Sequence, residues 1–358
     1  MKRILVLNPF GIGDVIFTMS LVECLRRAHP DGWIAFLCNE RTEALVRMNQ
    51  SIDQTIVFNR DVFRSRARKS LFGFVKEVQA FLGLVRSLQV DTLVDLSLGR
   101  QYSFFSMLIG IRRRIGFNFK RRGIFLTHRV NLKGYNGTPV AQTQMQLLGF
   151  LGVEKPKSAV KLSLAVPESA IHQCERMLSG QGIAHGEKIM LVAPGGGRSW
   201  GENAFYKQWG PERFAQAVNR FAQGTPTKVI VVGDTDEAGL IQAVSTRLEM
   251  PHFDLIGKPL DLVGAFLLRS GLLLCNDSGL LHLGHALGIR TVSIFGPVDE
   301  RVYGPWGSDA PHRVLTAPVP CRPCYKDFHF PPCPHNRRCL EEISVEKVLE
   351  AMNEFKHE

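Results

Sequence analysis

Residues 272–307, LLLCNDSGLLHLGHALGIRTVSIFGPVDERVYGPWG, leave few folds open to this chain. Two short apolar runs, 272–275 and 291–295, have the length of buried strands and lack the alternation of a strand with one wet face. Between them lie a turn of small, oxygen-bearing residues, Asn276-Asp277-Ser278-Gly279, and a short helical pattern. Strand, helix and strand in that order predict an α/β fold built on parallel sheet. The turn places free backbone N–H groups and the positive dipole end at a helix start, which makes an anion site. Asp277 or Ser278 could equally serve as a plain helix cap. His282 follows one turn later on the same face, and Gly296-Pro297 ends the second strand. Loops at the carboxyl ends of neighbouring parallel strands are where open α/β sheets bind ligands.

The remaining chain offers the same kind of punctuation. Residues 2–7 read as a central strand, broken by Pro9-Phe10-Gly11-Ile12-Gly13-Asp14, with a helical pattern beyond. The dinucleotide fingerprint is absent, because Ile16 stands where the third glycine of G-x-G-x-x-G belongs. Asp14 is either a carboxylate stabilised at a helix start or a catalytic group. Further strands are expected at 33–37, 55–58, 90–96, 189–193, 228–232 and up to about 258, with helices between them. After 189–193 come Pro194-Gly195-Gly196-Gly197, where missing side chains let backbone N–H groups approach phosphate oxygens. The alternative for that loop is a plain surface turn. Relaxed patterning near 156–170 marks a linker.

Four elements in one order, Asp277-Ser278-Gly279, His282-Leu283, Phe295-Gly296-Pro297 and Gly304-Pro305-Trp306-Gly307, resemble the signature of glycosyltransferase family nine, the bacterial heptosyltransferases. Gly284-His285 departs from the small apolar residues usual there, so local helix packing is expected to differ. The resemblance implies a GT-B fold, two Rossmann-like α/β domains facing each other across a cleft. Residues 1–165 would form an acceptor-binding domain and 166–340 a nucleotide-sugar domain, with a helix in 341–358 packing back across both. Gly13-Asp14 is similar to the family's N-terminal motif, which makes Asp14 the implied catalytic base. Lys207-Gln208-Trp209 resembles the family's Lys-x-Trp, which implies that Lys207 stabilises the leaving diphosphate. By the same resemblance Gly196, Lys207, Asp277, Ser278, Gly279 and His282 bind the donor nucleotide. Asp236 or Glu237 would touch the ribose. The implied reaction is inverting transfer of heptose from an ADP-sugar to a lipopolysaccharide inner-core sugar. No cofactor and no metal are expected, since lysine and helix dipole would carry the charge stabilisation.

Charge is distributed unequally. Residues 1–150 hold 22 Lys and Arg against 10 Asp and Glu, a surplus of 12, whereas 151–358 hold 22 against 23. A basic first half favours an acidic partner. With the resemblance, that partner is a phosphorylated glycolipid acceptor at the inner face of a membrane, received by Arg60, Arg64 and Arg113, with peripheral membrane contact. No apolar run reaches 18 residues and no leader pattern is evident, so a cytoplasmic chain is expected. Two other readings stand beside the transferase. One is a GT-B-like sugar-nucleotide epimerase, which would turn over donor without acceptor. The other is a basic nucleic-acid-binding protein, disfavoured because no recognised module or interleaving of stacking aromatics is present. Near the end, Cys321-x-x-Cys324 is followed by Cys333 and Cys339, a spacing open to a metal, a disulfide or reduced thiols.

Overall fold

The computed structural model describes residues 2–58, 71–223 and 227–356. It divides into two compact units, Met1–Gly134 with Val140–Ser163, and Tyr135–Pro139 with Leu164–Glu358. In the first, β1 (Arg3–Leu7), β2 (Trp33–Cys38), β3 (Gln54–Val57), β4 (Thr92–Asp95), β5 (Arg113–Phe119) and β6 (His128–Leu132) form one sheet. The order is β3-β2-β1-β4-β5-β6, and every pairing is parallel. The second unit repeats the plan with β7 (Ile189–Ala193), β8 (Lys228–Gly233), β9 (His252–Ile256), β10 (Leu272–Asn276), β11 (Thr291–Ile294) and β12 (His312–Leu315). Its order is β12-β11-β10-β7-β8-β9, again all parallel. Both units are therefore Rossmann-like, as expected. Each strand order reverses once, between β1 and β4 and between β7 and β10.

Burial explains why the central strands read as unbroken apolar runs. Met190 and Val192 join the core on one face of the second sheet together with Val229, Val231, Leu272, Leu274, Val292 and Ile294. Their alternates Leu191, Ile230 and Leu273 are also inaccessible to solvent. Both faces are thus covered by helices, the condition for parallel sheet. Strands β6 and β12 were not expected. Each is an edge strand in which polar residues such as His128, Arg129, His312 and Arg313 stand exposed or half-buried.

Trp209 anchors the second core. It is 1% exposed, packs edge-on against Phe214, and donates its indole N–H to the Ile343 carbonyl at 3.0 Å. The terminal helix Val345–Asn353 starts at Ser344, whose hydroxyl accepts from the Lys347 N–H. Its Val348, Ala351 and Met352 share the core of helix Pro211–Ala222. The packing described for this helix therefore lies within the second unit. No helix among the described residues is long and apolar enough to cross a membrane.

Candidate functional site

The strand reversal of the second unit places two loops side by side, one leaving β7 and one leaving β10. Asn276, the last residue of β10 and fully buried, ties them together. Its amide donates to the Pro194 carbonyl at 2.6 Å, and its carbonyl oxygen accepts from the Trp209 N–H at 3.1 Å. The glycines of the β7 loop are there for space. A side chain on Gly195 would collide with the Glu237 carboxylate, and one on Gly196 with the Ala204 carbonyl. Glu237 accepts from the Gly197 N–H at 3.3 Å and from the Asp234 N–H at 3.1 Å. Asp234 in turn accepts from Thr235, which completes a capping box. The expectation of no metal assumed that the chain lacks the Asp-x-Asp spacing of metal-dependent transferases, but Asp234-Thr235-Asp236 has it. Here its first aspartate caps a helical turn.

Lys207 ends the 3-10 stretch Arg198–Lys207 and is 6% exposed. Its ammonium stands 2.9 Å from the Asp277 carboxylate and 4.7 Å from the centre of the Trp200 ring. The ion pair is close but poorly aligned for a hydrogen bond, since the nearer Asp277 oxygen has no hydrogen-bonding partner. Asp277 is 4% exposed, so both charges are removed from bulk water and depend on each other.

Ser278 occupies the N-cap of helix Gly279–Ala286, but its side chain makes no capping bond. Its buried hydroxyl has no protein partner. Neither Asp277 nor Ser278 is thus spent on closing the helix, and the N–H groups from Gly279 onward begin an uncapped turn. His282, one turn on and 4% exposed, is held neutral. Burial, then the Lys207 charge, depresses its imidazole to about 3. Next to it Gly284 presses against Leu273, where a side chain would not fit, so the helix lies close on β10. His285 is buried, bonds the Ser308 carbonyl at 3.1 Å and meets the His312 ring edge-on. That packing accounts for the departure at Gly284-His285. Gly196, Lys207, Asp277, Ser278, Gly279 and His282 accordingly gather at the carboxyl end of one sheet. Asn276, Trp200 and Glu237 complete the surroundings; Asn276 was legible as part of the turn and Glu237 as a ribose candidate, whereas Trp200 carried no signal in the sequence.

The first unit has a corresponding place. Asp14 is half-buried in the first turn of helix Ile12–Ala28, after β1. The Asn8 amide donates to its backbone carbonyl at 3.1 Å, and the Thr18 hydroxyl, with one proton to give, lies 2.9 Å from that carbonyl and 2.9 Å from the Gln144 side-chain oxygen. The Asn39 amide holds the Pro9 carbonyl at 2.9 Å, fixing the loop before the helix. Across the strand reversal, Asp95 ends β4 at 3% exposure. One of its oxygens accepts from the Ser97 N–H at 2.9 Å and the other has no partner. Burial pushes its carboxyl up to about 6. Arg113, expected at an acceptor, opens β5 and donates to the Phe150 carbonyl from a half-buried position. Arg60 and Arg64 lie outside the described residues.

The four late cysteines are all free thiols and line one cavity of about 290 Å³ with Tyr206, Pro297 and Phe330. Cys324 donates its N–H to Pro297 at 3.0 Å. Burial, and then its three sulfur neighbours, raise the Cys339 thiol to about 11. Among the described residues no group of three or more His, Cys, Asp or Glu side chains is arranged to hold a metal ion.

Comparison with known proteins bears on the family and the fold. The sequence model of glycosyltransferase family 9 (heptosyltransferase) matches residues 83–329. Lipopolysaccharide heptosyltransferase 3 of Escherichia coli is 21% identical over 307 residues, covering 83% of this chain and 84% of that protein. Among solved structures, a family 9 glycosyl transferase from Veillonella parvula superposes with a TM-score of 0.80 at 22% identity, over 99% of this chain and 97% of that one. ADP-heptose lps heptosyltransferase II of E. coli gives 0.78 at 18% identity, over 99% and 98%. These likenesses establish the GT-B fold.

Proposed function

The chain belongs to glycosyltransferase family 9, the heptosyltransferases, and from that premise we propose that it moves heptose from ADP-heptose to an inner-core sugar of a lipopolysaccharide precursor, with inversion. The observation that carries this reading is the buried Lys207–Asp277 pair beside an uncapped helix start, at the strand reversal of the second unit. An ADP diphosphate there would accept from the Gly279 turn, from Ser278 and from backbone N–H groups near Gly196, with the Lys207 charge alongside. Neutral His282 offers a hydrogen bond without adding charge. Asp277 stands 2.9 Å from the Lys207 ammonium and holds it at the strand reversal.

In the proposed step an acceptor hydroxyl oxygen bonds to the anomeric carbon as the carbon–oxygen bond to the β-phosphate breaks. The proton passes to Asp14 and ADP departs with its charge stabilised by Lys207 and the helix N-terminus. A single displacement inverts the anomeric centre. Neither cofactor nor metal enters this scheme. The acceptor would be a phosphorylated glycolipid, which suits the basic first half. The test is a thermal-shift panel of ADP, UDP and GDP, followed by transfer from ADP-heptose to heptose-free glycolipid. Selective stabilisation by ADP with acceptor-dependent ADP release is the expected result. Stabilisation by UDP alone, or ADP-heptose turnover independent of acceptor, would sink the reading.

A further inference from the structure

Between Asp95 and Glu154 the chain contains no acidic residue, and in that interval it carries nine Lys and Arg. The interval builds the edge of the first sheet: helix Gln101–Leu108, β5, the crossing chain 120–127 and β6. Phe104 of the helix meets Phe125 of the crossing chain at 5.0 Å, so the two segments form one surface. Arg114 pins them further by donating to the Phe125 carbonyl at 2.7 Å. On that surface Leu108 is 59% and Ile124 56% exposed, unusual for large aliphatic side chains, and Met107 is exposed beside them. Cations stand at either end of the seven-residue strand behind it: Arg112 before β5, and Lys120, Arg121 and Arg122 after it, all exposed.

We propose that this face docks on an anionic phospholipid bilayer, with Leu108, Ile124 and Met107 entering the interface and the flanking cations meeting lipid phosphates. Exposed aliphatic tips flanked by cations, in a stretch of chain that carries no acid, match a lipid surface better than a protein or a nucleic acid. A protein interface would carry mixed charge, and a nucleic-acid groove would present stacking rings. The surface would bring the first unit to the layer in which a glycolipid acceptor resides, and to that extent it rests on the function proposed above.

The experiment is co-sedimentation of the full chain with vesicles of phosphatidylglycerol and phosphatidylcholine, against phosphatidylcholine alone. Binding should require the anionic lipid and fade with salt, because exposed charges are screened over about 8–10 Å at physiological ionic strength. Replacing Lys120 and Arg122 with Ser should weaken it about five-fold for each cation. Leu108→Ser with Ile124→Ser should weaken it about ten-fold or more, while melting temperature and ADP binding stay as in the parent. No binding to anionic vesicles, or binding indifferent to the Leu108 and Ile124 changes, would overturn the proposal. So would duplex DNA binding that the apolar changes leave intact, or release from vesicles by millimolar inorganic phosphate with those changes silent. Loss of ADP binding in the parent chain would count against the transferase reading alone, since vesicle binding does not depend on it.

Discussion

The Lys207 ammonium lies 2.9 Å from the Asp277 carboxylate, with both side chains more than nine-tenths buried. One residue comes from the chain after β7 and the other from the turn after β10, so the pair locks the two loops that border the strand reversal. Removing one partner of such a pair leaves the other charged in a dry place, which costs about 3–5 kcal/mol. Lys207→Ala should therefore lower both melting temperature and ADP affinity. Adding Asp277→Asn should restore much of the melting temperature and none of the ADP affinity. Calorimetry with ADP and thermal melts of the two variants separate these effects. Full ADP affinity in Lys207→Ala would remove Lys207 from the diphosphate site.

The buried histidines make stability depend on pH in a stated direction. His282 is depressed to about 3 and His285 to about 4, both first by burial, while unfolded histidine titrates near 6.5. Between those values the unfolded chain binds more protons, so stability is full above about 6.5 and is lost as pH falls. Asp95 acts in the opposite sense, since its raised carboxyl favours the folded state at low pH and loses that contribution as pH rises from about 4 to 6. Denaturant midpoints at pH 7.5, 6.5 and 5.5 should decline on acidification, and His282→Gln should flatten the decline. A slope unchanged by that substitution would mean that His282 is hydrated in solution.

How much of this was legible in the sequence follows from how local each feature is. Strands β7 and β10 announced themselves because both faces are buried and every residue is apolar or small. Strands β6 and β12 did not, because an edge strand such as His128–Leu132 mixes residues for core and solvent. The turn Asp277-Ser278-Gly279 and the loop Gly195-Gly196 were visible as motifs, since their chemistry is written in neighbouring residues. Asn276 was legible as part of that turn, but what its side chain holds was not. It matters only because folding brings the Pro194 carbonyl to it from 82 residues away. Trp200 and the Thr18–Gln144 contact were hidden for the same reason. Asp234 shows the converse, a motif spacing whose aspartate is used as a cap.

The cysteine-lined cavity predicts a structural phenotype. Cys339 belongs to the second core, and Cys324 holds the Pro297 carbonyl that follows β11. Arg322, between Cys321 and Cys324, donates to the Gly296 and Val298 carbonyls and pairs with Glu300 at 2.8 Å. The segment is thus fastened mainly to the body of the second unit. Replacing Cys321 and Cys324 with Ser should lower the melting temperature more than it lowers ADP affinity. An unchanged melt with lost ADP binding would make the thiols part of the nucleotide site.

Asp14 gives the sharpest test of the chemistry, because its environment separates a structural role from a catalytic one. Two hydrogen bonds run to its backbone carbonyl, from Asn8 and Thr18, and the helix N-cap is Gly11, which offers no side chain. Asp14→Asn preserves those bonds and the side-chain volume while removing a base. If Asp14 takes the acceptor proton, turnover should fall by roughly 10²–10⁴, the usual worth of a positioned general base. ADP affinity should stay at the parent level, since the proposed nucleotide site lies in the other unit. Were Asp14 only a carboxylate favoured by the helix dipole, Asn would cost about 0.3–1 kcal/mol of stability and leave transfer intact. Steady-state transfer kinetics, ADP calorimetry and a thermal melt on the one variant decide between the two. Full turnover with a slightly lowered melt would return Asp14 to the helix and place the base elsewhere.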